Sequence, residues 1–440
     1  MITSTAGHAP GWLESLAAWL TLRRVRVHAA ILAICLWGVC AGDFFTAGPF
    51  DRAANIKFQD FLSFYISGRL LAEHRATDLY SDDVRQAEMI STVAPSDVAH
   101  DTAFPPTTHT AIQVRLPYLY APQFALLFIP LSRLPFLDAA GIWVALNLVV
   151  YFACIAVVLK GRQGLLPHRG TVFLCAVAFP PLFHFFVRGQ NSVLVLAGFT
   201  AALWAFEAQC DGFAGVALGL LIFKPQFLVA IPLVLLLARA WKPAMGIATS
   251  ASAQLLLARV YFGAAVMHSY FDRLLHPSRW LFFAELSLAP IQMHSLRAFW
   301  MLLIPWPLVS FALYLVTSIA VIAITASIWR SSSPLEIRFS ALTLAAVLVN
   351  PHLFVYDVLV LAPVLLLLVD WHRNETKHSS AALPLLIYLG FFLLLLGPLA
   401  RWTHLQVSVL AFAALLWVLR KLASDLSTGH RLASRNSGVV

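Results

Sequence analysis

Apolar runs recur from one end of this chain to the other, and that repetition leaves few folds open to it. The first extends from Val27 to about Gly48 and another from Ala139 to Leu159. Each is close to the 20 or so residues that a helix needs to cross the hydrocarbon core of a bilayer. Only 12% of the 440 residues are charged and 60% are hydrophobic, whereas about a quarter of a soluble domain is charged. These features predict an all-α polytopic membrane protein. The net charge of +9 does not point to nucleic acid, because many of the basic residues fall in short loops flanking the runs.

Charge placement sets the expected topology. Residues 1–26 end in Arg23, Arg24 and Arg26, directly before the first run, which puts a cytoplasmic segment in front of an uncleaved span. From residue 50 to about 137 the chain is polar and then Pro-broken, and it carries Asp51, Asp60, Asp78, Asp82, Asp83, Glu88, Asp97 and Asp101. This predicts a large first external loop with juxtamembrane helices. Its last part, Leu116–Phe136, is interrupted by Pro122, Pro130 and Pro135 and reads as a surface or re-entrant element. The later runs give about 12 spans and place both termini in the cytoplasm, in a 27–422 membrane domain followed by a solvated 423–440 tail. The expected inner loops then hold Lys160, Arg162 and Arg169, Arg239 and Lys242, Arg330 and Arg338, Arg373 and Lys377, and Arg420 and Lys421. Charge and span parity therefore agree.

One choice decides that parity. A single helix over Phe213–Ala238 would bury Lys224 at its centre, at about 2.5–3.5 kcal/mol. A hairpin broken at Lys224-Pro225 keeps Arg239 and Lys242 inside. Pro225 disfavours helical geometry at Lys224, so the hairpin is preferred, with Lys224 at the floor of an outward-facing cavity.

The stretch Phe58–Tyr80 follows the first span. Phe61, Phe64, Tyr65, Leu70 and Leu71 recur there at helical spacing, which predicts an amphipathic helix on the membrane surface or on other helices. Asp60, at its start, is either a capping acid or a base held just outside the membrane. The topology favours the base, because it brings other polar turns to the same side: Arg188-Gly189-Gln190-Asn191, Lys224-Pro225-Gln226, His294 with Arg297, and Asn350-Pro351-His352 with Tyr356-Asp357. Cationic and donor groups facing an acid make a site for a phosphate leaving group opposite a general base. Asp357 and Lys224 flank apolar runs at membrane depth, where ionisable groups are costly and usually functional. Cys35, Cys40, Cys154, Cys175 and Cys210 lie in or beside apolar runs with no CxxC pair and no histidine at ligand spacing. They read as core residues, and no metal or cofactor is expected. Nucleotide-binding, lipase-type and zinc-protease signatures do not occur.

The succession Asp60-Phe-x-x-Phe-Tyr65-x-x-Gly-Arg69 with Asp78-Leu-Tyr, Tyr120-Ala-Pro-Gln123-Phe-Ala-Leu-Leu, Gly189-Gln-Asn, and Gly219-Leu-Leu-Ile-Phe-Lys-Pro-Gln226 resembles glycosyltransferase family 87. These are integral-membrane enzymes of the GT-C class, typified by polyprenol-phosphate-mannose-dependent α-mannosyltransferases. The resemblance implies a GT-C fold whose first external loop carries a catalytic aspartate, here Asp60. It further implies a polyprenyl-phosphate sugar donor, a lipid or glycan acceptor, membrane lipids as surroundings, and inverting transfer at the outer face of the plasma membrane. With it, Tyr65, Arg69, Tyr120, Gln123, Arg188, Gln190, Asn191, Lys224, Gln226, His294, Arg297, His352, Tyr356 and Asp357 are expected to bind substrate. The chain departs from the family pattern at Met293-His294-Ser295-Leu296 and across Asn350–Asp357. Two other classes remain open: a lipid or solute transporter using Lys224 and Asp357 as a coupled charge pair, and an idle family member that only binds lipid carriers.

Overall fold

A computed structural model describes residues 11–93, 117–276, 289–375 and 380–436. Its helices, in chain order, are α1 (Gly11–Trp19), α2 (Leu22–Phe44), α3 (Gln59–Ala72), α4 (Asp82–Val93), α5 (Phe136–Lys160), α6 (Arg169–Ala178), α7 (Pro180–Arg188), α8 (Ser192–Glu207) and α9 (Asp211–Gly219). They continue with α10 (Ala230–Leu237), α11 (Trp241–Leu275), α12 (Leu296–Leu303), α13 (Pro307–Trp329), α14 (Leu335–Leu348), α15 (Ala362–Asn374), α16 (Ala382–Phe392) and α17 (Val407–Asn436). Among the described residues there is no strand, only the isolated bridges Phe50 to Ile56 and Met293 to Phe354.

Among the described residues seven helices are long and apolar enough to cross a membrane, and the bent pair ending in α6 and α7 makes an eighth if it counts as one span. The expected count of about twelve is not reached as full spans, because several apolar runs form shorter helices: α8, and the two arms Asp211–Phe223 and Pro225–Leu237. The bend between α6 and α7, 49°, sits at Pro180-Pro181, where two consecutive residues lack the N–H that would continue the helix. Residues 117–135 form no helix long enough to span, as their prolines require. They form 3-10 turns at Pro122–Phe128 and Leu131–Arg133 that pack on α3. Within the segment expected to be a solvated tail, 423–440, the described residues continue α17 to Asn436.

The arms around Lys224 form a hairpin. A Cβ at Gly215 would clash with the Pro243 carbonyl oxygen, and one at Gly219 would stand 2.7 Å from that of Ile247. The Gly215-x-x-x-Gly219 pair thus lets α9 lie against α11, and both helices advance in the same direction. α10 ends four residues before α11 begins, so its end returns to the side where α9 starts. Each arm has about 13 residues, or about 20 Å as helix, short of the roughly 30 Å core.

Arg162 and Arg373 of the expected inner loops, and Arg26 before the first span, all lie in or contact the segment between α5 and α6 or its flanks, at one end of the bundle. Arg162 donates to Glu336 at 3.1 Å and also bonds Glu207. Arg373 reaches His168 at 3.1 Å, and Arg26 donates through Nε to Thr171 at 3.1 Å. The start of α3, the end of α7, the tip of the hairpin and the start of the Val355–Asn374 span lie at the opposite end.

Candidate active site

The junction between the first loop and the helices is a glycine. Gly189 ends α7 in the left-handed conformation (φ 65°), and its N–H bonds the carbonyls of Phe185 and Phe186. A Cβ there would meet that of Phe61 at 2.8 Å and that of Phe58 at 3.2 Å. Both the turn and the approach therefore require glycine. Phe58 N–H donates to Val187 O at 3.2 Å, and Trp143 Nε1 donates to Gly189 O at 3.0 Å. These contacts pin the first turn of α3 against the α7 to α8 turn.

Asp60 lies inside that first turn, after the residue preceding α3, Phe58, which makes no side-chain cap. Its carboxylate is therefore not the capping group. Gln190 Nε2 donates to Asp60 Oδ2 at 3.1 Å, and the Arg188 guanidinium is 3.8 Å from Oδ1. Arg188 also donates to Gln59 Oε1 at 3.3 Å and to Gln292 Oε1 at 3.5 Å. Burial raises the Asp60 carboxyl above the ordinary carboxylate range. Arg188, the Gln190 bond and Lys224 act against that rise, and Asp357 adds to it. The Asp60 side chain is 18% exposed and Arg188 36%, so this pair remains accessible.

Behind it the network closes. Gln190 Oε1 accepts from the Asn191 N–H at 2.9 Å and from the Tyr120 hydroxyl at 3.4 Å, which fixes the orientation of its carboxamide. Asn191 Oδ1 accepts from Lys224 Nζ at 3.2 Å. Lys224 forms a salt bridge with Asp357, and Ser192 Oγ donates to the same Asp357 oxygen at 2.6 Å. Lys224 also sits 5.5 Å from the Tyr356 ring centre. The Lys224 and Asp357 side chains are 3% and 1% exposed. The expectation of an open cavity floor at Lys224 is thus corrected: the lysine is buried because Asp357, Asn191 and Tyr356 enclose its charge.

On the other flank, His294 N–H donates to Leu353 O at 3.0 Å, and its Nδ1 lies 2.7 Å from Ser408 Oγ. The His352 N–H donates to Asn350 Oδ1 at 2.9 Å, and Arg297 reaches Pro351 O at 3.5 Å. Burial, with Lys224 and Arg297 nearby, lowers His352 to about 4. Burial, with His184, lowers His294 to about 3. Both imidazoles are neutral at pH 7.

The structure therefore joins Asp60, Arg188, Gln190, Asn191, Tyr120, Lys224, Tyr356 and Asp357, with His352, Arg297 and His294 on one flank. Gln226 is the second residue of the arm that Pro225 opens beside Lys224. Tyr65 instead donates to Leu134 O at 2.8 Å, and Arg69 pairs with Glu73 at 3.1 Å. Both therefore stand apart from the cluster. Gln123 has both side-chain polar atoms buried without a hydrogen-bond partner among the described residues. Sequence reasoning missed Gln59, Trp143, Ser192 and Ser408. Gln59 and Ser192 adjoin named motifs and were within reach, whereas Ser408 has no local signal. Residues 94–116 of the expected first external loop lie outside the described residues. Among the described residues no group of three or more His, Cys, Asp or Glu is placed to hold a metal ion.

The glycosyltransferase family 87 model matches residues 118–363, more than half of the chain. No curated protein and no solved structure matches it.

Proposed function

Because the chain belongs to glycosyltransferase family 87, we propose that this membrane glycosyltransferase moves a hexose, mannose in the first instance, from a polyprenyl-phosphate sugar to a lipid or glycan acceptor. The reaction is placed at the Asp60 end of a GT-C-type bundle, with the arginine-bearing opposite end in the cytoplasm by the positive-inside rule. The observation that carries the proposal is the partly exposed Asp60 carboxylate, with one oxygen held by Gln190 and an accessible Arg188 3.8 Å from the other.

Asp60 Oδ1 takes the proton of the acceptor hydroxyl while that oxygen attacks the anomeric carbon. The bond from that carbon to the phosphate oxygen breaks, and the lipid phosphate leaves with the electron pair, so the configuration inverts. A raised carboxyl makes Asp60 a stronger base than an ordinary aspartate. Arg188 faces the developing phosphate charge, and neutral His352 and His294 supply N–H groups rather than charge. Lys224 is neutralised by Asp357 and acts by holding Asn191, which in turn holds Gln190. A fixed donor in a water-poor site stabilises developing charge without reorganising. The unpartnered Gln123 has hydrogen-bonding capacity that a hydroxyl-rich ligand could use.

The test is sugar transfer by reconstituted protein from labelled lipid-phosphate donors, with wild type against Asp60→Asn. Wild-type transfer that survives this substitution removes Asp60 from the mechanism. Uptake or flipping without a covalent product would favour the transporter reading instead.

A further inference from the structure

An apolar chamber of about 520 Å³ lies at the end of the bundle opposite Asp60, inside the roughly 300–1,000 Å³ range of ligand cavities. It is lined by α1, the start of α2, α6, the middle of α5, the length of α15, and α16. On its wall Tyr151, Ile155 and Phe179 are buried, and Val369 and Tyr388 half-buried. No aspartate or glutamate lines it, and its ionisable side chains apart from tyrosine and cysteine are His168, His372 and Arg373.

Cations cluster at its mouth. Arg373 is exposed and donates to His168 Nε2 at 3.1 Å. Arg26 binds the hydroxyl of the lining residue Thr171 through Nε at 3.1 Å and through its terminal nitrogen at 3.0 Å. Arg24 stacks 4.5 Å over the exposed Trp19. Trp19 in turn leads through His28, 5.7 Å between ring centres, to Tyr388 on the chamber wall. Tryptophan beside arginine marks headgroup depth in membrane proteins. The nearby Asp370 is bonded by Asn374 and faces Arg162, so its charge is met away from the mouth.

We infer that this chamber binds one anionic membrane phospholipid, with an acyl chain inside and the phosphate among Arg373, Arg26 and the His168 ring. An apolar interior whose lining holds cations and no carboxylate matches such a lipid, whereas a zwitterionic headgroup would bring a second cation to a cationic rim. The site is independent of the transfer chemistry, and its cationic mouth at Arg373 lies at the far end of the Val355–Asn374 span from Asp357.

The experiment uses the full chain in detergent after delipidation, titrated with phosphatidylglycerol, phosphatidylcholine or a polyprenyl phosphate. Native mass spectrometry counts bound lipid, and thermal unfolding follows stability. One phosphatidylglycerol should bind at least tenfold more tightly than phosphatidylcholine and raise the Tm by several degrees. Arg373→Glu should abolish that preference, and Cys175→Phe, which fills the chamber wall, should lower occupancy by either lipid. Arg373 is exposed, so its variant is expected to fold even where the filled variant does not. Equal binding of the two phospholipids, an unchanged preference in Arg373→Glu, or displacement of phosphatidylglycerol by polyprenyl phosphate at the same site would each overturn the inference.

Discussion

Gln190 holds Asp60 by one oxygen only: its Nε2 donates to Oδ2 at 3.1 Å, while its own oxygen is occupied by the Asn191 N–H at 2.9 Å. The amide cannot flip without losing both bonds, and Asp60 Oδ1 is left toward Arg188. In our mechanism Asp60→Asn keeps the shape and removes the base. Transfer should fall by about 10²–10⁴-fold while donor binding, measured by equilibrium titration, stays within a few-fold. Loss of binding in step with loss of turnover would make Asp60 a ligand and not a base.

Gln190 should reveal itself in a pH profile. Burial already raises the Asp60 carboxyl, and the Gln190 bond opposes that rise. Gln190→Leu removes the donor, so the pKa rises further and the acid limb of kcat/KM moves to higher pH. A residue that merely packs would lower the rate without moving the limb.

Gly189→Ala tests the junction that brings loop and helices together. The substitution places a side chain at φ 65° and 2.8 Å from the Phe61 Cβ. A strained left-handed residue alone costs about 1–3 kcal/mol, and relief of the clash would move Arg188 and Gln190 away from Asp60. Thermal unfolding in detergent should show the loss, and transfer should fall further than the fraction unfolded explains.

Acid should loosen the flank before it reaches the ordinary carboxylates. His352 and His294 sit at about 4 and about 3 in the folded chain, against about 6.5 when unfolded. Between those values the unfolded state binds more protons, so stability is full above about pH 6.5 and declines as pH falls toward about 4. His352→Asn should flatten part of this slope in an unfolding titration, and an unchanged slope would mean that the imidazole is not buried neutral.

Much of this arrangement could be read from local sequence rules, and the rest depended on contacts between distant residues. The Lys224-Pro225 break follows from how proline restricts its predecessor, and the hairpin formed there. The arginines near residues 26, 162 and 373 converge because the positive-inside pattern reflects a shared end of the bundle. The pairing of Lys224 with Asp357 lies across 133 positions; the transporter reading couples these two charges because both flank apolar runs at membrane depth, but no local spacing rule gives their contact. Helical spacing placed Tyr65 and Arg69 on the same helix as Asp60 but not on its facing side. Tyr65 turned to the Leu134 carbonyl and Arg69 to Glu73. Several apolar runs formed helices too short to span because hydrophobicity reports what is buried, not whether lipid or protein buries it.

The Lys224 and Asp357 pair separates the enzyme from the transporter reading. Both side chains are almost fully buried, and Asp357 also accepts from Ser192 while Lys224 donates to Asn191. Removing one partner, as in Lys224→Met or Asp357→Leu, strands the other charge and should cost about 3–5 kcal/mol. The double variant should recover most of that loss, because a well-packed apolar pair replaces a buried ion pair with little change. A double-mutant cycle measured by unfolding in detergent gives the coupling directly. If the pair is scaffolding for Asn191 and Gln190, the double variant folds and its remaining activity is still sugar transfer that Asp60→Asn abolishes. If the pair instead carries charge through the membrane, the double variant loses solute or lipid movement, and Asp60→Asn leaves that movement intact.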